Sequence, residues 1–109
     1  MATAYKVLGQ LNPSATTSTT LYTVPSATET IVSTIAVANL AATSATYRIA
    51  VRPDGESIAN KHYIAYDVAL GASDSTFITA GFTINATDVV TVYASNANLA
   101  FSAFGTEIS

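Results

Sequence analysis

Apolar and polar residues alternate with a period of two along almost the whole chain, the spacing of extended strands whose side chains point to opposite faces. In residues 29–39, ETIVSTIAVAN, Ile31, Ser33, Ile35 and Val37 fall on one face and Val32, Thr34, Ala36 and Ala38 on the other. Both faces are largely apolar, so this strand is expected to be buried on both sides. In TYRIAVR, Tyr47, Ile49 and Val51 oppose Arg48, Ala50 and Arg52. The same period marks AYKVLGQL from residue 4, TTLYTV from 19, KHYIAYDV from 61, STFITAG from 75, DVVTVYAS from 88 and LAFSAFGTE from 99. Each is rich in β-branched or aromatic residues. Between them lie NPSAT, PSAT, AATS, PDG, GASD, NATD and SNAN, clusters that turn the chain. Regularly spaced strands and turns predict an all-β domain over residues 1–109, an antiparallel β-sandwich or jelly-roll-like barrel of about eight strands. No segment carries an amphipathic helical stripe, and GESIAN offers a single helical turn at most.

Composition changes the picture of the surface. Half of the 109 residues are hydrophobic and only 10% are charged, against roughly 25% in an ordinary soluble domain. The positions left vacant by charge are filled by Ala, Thr and Ser. Such a surface is poorly hydrated and is best kept in solution by neighbours that cover part of it. A net charge of −3 with four Lys and Arg residues offers no basic stripe for a phosphate backbone, so nucleic acid is not an expected partner. Cysteine is absent. The start MATAYKVLGQ lacks the apolar run of a leader, and no window is long and apolar enough to span a bilayer, so a membrane is not expected either.

Residues 47–67, YRIAVRPDGESIANKHYIAYD, concentrate the charges and hold the lone histidine. In RPDG, Pro53 presets a turn that Asp54 and Gly55 complete, so Arg52 to Gly55 should reverse the chain as an exposed connection. Arg48 and Arg52 share a strand face and are expected near Asp54 and Glu56. Ser57, His62 and Asp67 contain the residue types of a hydrolase triad, but alternation sends His62 and Asp67 to opposite faces and no G-x-S-x-G turn positions a serine. One histidine beside scattered acids makes no metal site, and His62 is expected at the surface or an interface. The five glycines are never grouped, so a phosphate loop and its nucleotide cofactor are not expected. NAT at Asn85 fits a glycosylation sequon, relevant only in a secretory pathway. Tyr47, Tyr63, Tyr66 and Tyr93 lie in strands and read first as packing residues, with an interface as the second reading.

In their order along the chain, LYTVP, IVSTIAVAN, YRIAVRP, KHYIAYD, VVTVYAS and FSAFGTEI resemble a family of small tailed-phage virion structural proteins, familiar from cyanophages. The likeness runs over nearly the whole chain, through strand cores and turns, with no catalytic motif. It implies an all-β module of the virion, either a capsid decoration (cement) protein or a part of the tail. As a decoration protein it would bind the major capsid protein on the outside of the shell, and threefold shell positions suggest a homotrimer. The alternative is a tail-fibre or baseplate module that recognises a host-surface polysaccharide. A depolymerase acting through Asp67 or Glu56 would need paired acids at a cleft, and most acids here fall in turns.

Candidate interface surfaces are the outer faces of TIVSTIAVAN and NLAFSAFG, where small side chains permit close approach. Phe101 and Phe104 differ in phase, so one enters the core and the other faces outward for a neighbouring subunit to cover. Tyr63 and Tyr93 complete the candidate interface residues.

Overall fold

The computed structural model describes residues 2–109. Eight strands form in chain order: β1 (Thr3–Leu11), β2 (Thr19–Thr23), β3 (Glu29–Asn39), β4 (Ala45–Arg52), β5 (Tyr63–Leu70), β6 (Ser75–Ile84), β7 (Val89–Ala94) and β8 (Leu99–Ile108). They pair antiparallel into two four-stranded sheets of order β1-β8-β3-β6 and β2-β7-β4-β5. Every chain-consecutive strand pair except the β4–β5 hairpin is split between the two sheets, and this arrangement is the jelly roll. The strands predicted from alternation are all present. β5 begins two residues later than predicted, and β6 runs three residues further.

The core lies between the sheets. Val32, Ile35, Val37, Leu99, Phe101 and Ala103 from one sheet meet Leu21, Tyr47, Ile49, Val90, Val92 and Ala94 from the other. Tyr47 meets Phe101 edge-on, with ring centroids 6.3 Å apart. β3 departs from the expectation in two ways. It is buried on its inner face only, and its two halves have opposite phase: Val32 and Ile35 are both fully buried while Ile31 is exposed. A β-bulge causes this. Val32 pairs with Gly105 and Thr34 with Phe104, so Ser33 has no partner on β8, and its hydroxyl donates to the Phe104 carbonyl at 3.0 Å. β1 bulges at the same level, where Val7 pairs with Phe104 and Gly9 with Ala103.

Glycine is required where backbones close in. A Cβ on Gly105 would lie 2.0 Å from the Ile31 carbonyl oxygen, and one on Gly9 would lie 2.2 Å from that of Leu21. The second approach closes the sandwich along β1 and β2. On β5, Val68 remains exposed although its register with Tyr47 puts it on the inner face.

One polar tie secures each end. At one end Asn39, buried, donates to the carbonyls of Thr43, Leu70 and Gly71 and accepts from the Ala41 amide at 3.0 Å. At the other, the Tyr22 hydroxyl donates to Glu107 Oε2 at 2.5 Å and accepts from buried Thr30 at 2.8 Å. Lys6 holds the second Glu107 oxygen at 3.2 Å. Burial, reinforced by the carboxylate, pushes the Tyr22 phenol up to about 12. The Tyr22 and Lys6 hydrogen bonds hold the Glu107 carboxyl below its ordinary range.

Candidate functional site: two unlike outer faces

Strand register sorts the outward side chains, because residues paired across a ladder share a face. On the β1-β8-β3-β6 sheet the outer set includes Tyr5, Val7 and Gln10 from β1 and Ala100, Ser102, Phe104 and Thr106 from β8. β3 adds Ile31, Thr34, Ala36 and Ala38, and β6 adds Ser75, Phe77, Thr79 and Thr83. The one charged residue in register with this set is Glu29, at the end of β3. Tyr5 is 84% exposed and Phe77 is 70% exposed, with Val7 and Ile31 also open to solvent.

This result divides the predicted interface residues. Phe101 is 1% exposed and is a core residue, since it pairs with inward Val37. Phe104, opposite Thr34, is the outward phenylalanine and is half-buried. Tyr63 and Tyr93 lie on the other sheet, away from this face. Tyr5 and Phe77 were missed by sequence reasoning, although their phase relative to the apolar neighbours that enter the core could have identified them.

The outer face of β2-β7-β4-β5 is built differently. Here the β4–β5 connection folds back over the sheet and buries the outward-facing Ala50, Val89 and Thr91. Its parts are a 3₁₀ turn at Pro53–Gly55 and another at Asn60–His62. Within GESIAN only the end residues, Gly55 and Asn60, belong to these turns, and Glu56–Ala59 between them form no helical turn. Asp54 and Gly55 both take left-handed backbone conformations. Arg52 does not pair with Asp54 or Glu56. Its guanidinium donates to Thr91 Oγ1 at 3.0 Å and to the carbonyl of Glu56 at 2.8 Å, which fastens the connection to the sheet. Asp54 accepts from Thr87 at 2.6 Å, and its amide donates to Asp88 at 2.8 Å.

The surface histidine expected from the sequence is instead buried, at 5% exposure. Its Nδ1 accepts from the Ala59 amide at 3.0 Å, which places the proton on Nε2, 3.3 Å from Glu56. Lys61 also approaches Glu56, at 3.7 Å. Asp67 serves Arg48, 2.6 Å from its Nε, so Ser57, His62 and Asp67 are not assembled into a triad. Asp67 reaches Arg48 because β5 bulges: Val68 pairs with Tyr47 but Ala65 with Ile49, and Asp67 adopts φ 50°. Asp tolerates this left-handed conformation better than most residues do.

Arg48 is thereby held in place and stacked. Its guanidinium carbon lies 4.2 Å from the ring centroid of Tyr66 and 4.2 Å from that of Tyr93. The Asp67 carboxylate raises its pKa further. Tyr63 meets Tyr66 edge-to-face, with centroids 4.8 Å apart. Beside them opens a cleft of about 470 Å³ lined by Asn60, Tyr63 and Tyr66, with no carboxylate in its lining. Of the strand tyrosines read as packing residues, only Tyr47 enters the core. Among the described residues no three His, Cys, Asp or Glu side chains gather as a metal site, and no helix is long and apolar enough to cross a membrane.

No family model matches the chain, and no curated protein does. Among solved structures it is similar to a chain of the acidic stable capsid structure of Helicobacter pylori bacteriophage KHP30, with 14% identity and a TM-score of 0.49, covering 100% of this chain and 94% of that one. A second likeness is to the structure of infectious bursal disease virus, Gx strain, with 12% identity and a TM-score of 0.48 over 97% of this chain and 30% of that one. Neither likeness is close enough to carry a function across.

Proposed function

We propose that this protein is a structural component of a phage virion, a capsid decoration protein that binds the major capsid protein on the outer shell and stabilises it without catalysis. The observation that carries this reading is the outer face of β1-β8-β3-β6. A monomer would carry Lys and Glu there, and this sheet carries Ala, Ser, Thr and exposed Tyr5, Val7, Ile31 and Phe77. Covering a large apolar side chain contributes about 1.5–3 kcal/mol. Many identical copies on a shell then sum modest contacts into resistance to expansion. The resemblance to virion structural proteins supports the same reading. The jelly roll is compatible with it, though this fold also serves lectin domains and enzymes.

Quantitative gels of purified virions test the assignment: a decoration protein appears in hundreds of copies, and a dozen or fewer would overturn it. A homotrimer is part of the proposal, formed through the same face. Light scattering on the purified protein is expected to show a trimer that dissociates when Phe77 and Phe104 are both replaced by Ser. An unchanged monomer for both proteins would remove the trimer. The second reading, a tail-fibre or baseplate module, is favoured by the open tyrosine cleft on the opposite sheet. Immunogold labelling confined to the tail would select it.

A further inference from the structure

We propose that the cleft beside Tyr63 and Tyr66 binds an uncharged sugar ring, such as a neutral hexose unit of a surface glycan. The inference rests on the virion reading only in that one outer face docks to the particle and leaves the opposite face outward. The two rings stand at 84° to one another and form a corner. Tyr66 is 55% exposed and Asn60 is exposed, so ring surface, a phenolic hydroxyl and a carboxamide are presented together. A pyranose has the matching chemistry, with an apolar C–H face to lie on a ring and a rim of hydroxyls for an amide and a phenol.

The cleft is also preorganised. Asp67 fixes Arg48 with two hydrogen bonds, and Arg48 in turn immobilises Tyr66 and Tyr93 by stacking. Part of the side-chain ordering that a flexible site would require on binding is therefore already in place at Tyr66. Charge selects the ligand class. The Arg48 cation is neutralised by Asp67, the cleft lining is uncharged, and Lys61 is matched by Glu56. Arg52, which has no acidic partner, is engaged with Thr91 and the Glu56 carbonyl and does not line the cleft. Among the described residues no cation therefore lines it to hold the phosphates of a nucleic acid or the carboxylate of an acidic sugar. The volume of about 470 Å³ suits one or two sugar rings. The cleft's three lining residues are far fewer than the roughly 20–30 residues a side that a standard protein–protein interface engages.

The probes are maltose, cellobiose and lactose, with glucuronic acid as the charged comparison, added to the whole protein and followed by two-dimensional NMR. At least one neutral disaccharide is expected to bind with a dissociation constant on the order of 1 mM. Shift changes should be confined to residues around Asn60, Tyr63 and Tyr66. Tyr66→Ala is expected to weaken binding about tenfold, while Tyr5→Ala on the opposite face leaves it unchanged. Should Tyr66→Ala fold poorly, Asn60→Ala and Tyr63→Phe each remove one hydrogen-bonding group and should lower affinity severalfold. Three outcomes overturn the proposal: no neutral sugar shifts these residues at tens of millimolar, glucuronic acid binds better than the neutral sugars, or Tyr66→Ala abolishes attachment to capsids while sugars leave the spectrum unchanged. The last result would make the cleft a protein contact. None of the sugar measurements depends on where the protein sits on the particle, so the two proposals fail separately.

Discussion

Replacing Tyr22 by Phe removes a single oxygen at the junction of the two sheets, and the structure sets both its cost and its pH dependence. The lost groups are a 2.5 Å hydrogen bond to the Glu107 carboxylate and a 2.8 Å contact with Thr30, which is fully buried. A hydrogen bond to a charged group contributes about 1.5–3 kcal/mol and a neutral one about 0.5–1.5 kcal/mol. Lys6 remains on Glu107, so the carboxylate is not stranded. We expect a loss of about 3 kcal/mol at neutral pH, or a fall in Tm of more than about 10 °C for a domain of this size. Acid narrows the difference. Glu107 is held below its ordinary value near 4.5, so its contribution is present above that value and is lost as pH falls through the lower folded value. Alkali narrows it too. The Tyr22 phenol is raised from 10.0 to about 12, so its stabilisation is complete below pH 10 and is lost as pH rises toward 12, by a few kcal/mol. The variant has no phenol at this position. Urea unfolding at acid, neutral and alkaline pH should therefore show the two proteins furthest apart near neutrality and converging on both sides. A gap that is independent of pH, or one below about 0.5 kcal/mol at neutrality, would refute this account of the junction.

Four further outcomes follow from the packing. Gly105→Ala drives a Cβ into the Ile31 carbonyl in the middle of a sheet and should cost about 3 kcal/mol or more by thermal unfolding. Gly81→Ala, with φ 63° and open space around it, should cost only the left-handed strain of about 1–2 kcal/mol. Asn39→Ala strands the carbonyls of Thr43, Leu70 and Gly71 and should cost about 2–4 kcal/mol, with faster amide exchange at Ser73 and Asp74. Phe101→Ala should lose about 3–5 kcal/mol of stability, whereas Phe104→Ser should change monomer stability by less than about 1 kcal/mol and act on association instead.

The β class, the number and approximate extent of the strands, the turn at Pro53 and the scarcity of charge can be read from the order of residues alone, because each depends on local period, local φ preference or composition. Pairing depends on contacts distant in the chain and becomes visible only in the folded molecule. Period-two counting assumes an unbroken ladder. The unpaired Ser33 reverses the phase of β3, so Ile31 faces solvent and Ile35 the core. The β5 bulge likewise turns Asp67 toward Arg48, on which Tyr66 and Tyr93 then stack. His62 was legible as a residue type, but its burial was not, since what covers it is a connection folded back across the sheet. Alternation could state that one of Phe101 and Phe104 faces outward. Register against β3 decided which, because a residue's face is fixed by the strand it pairs with and a single inserted residue exchanges inside for outside.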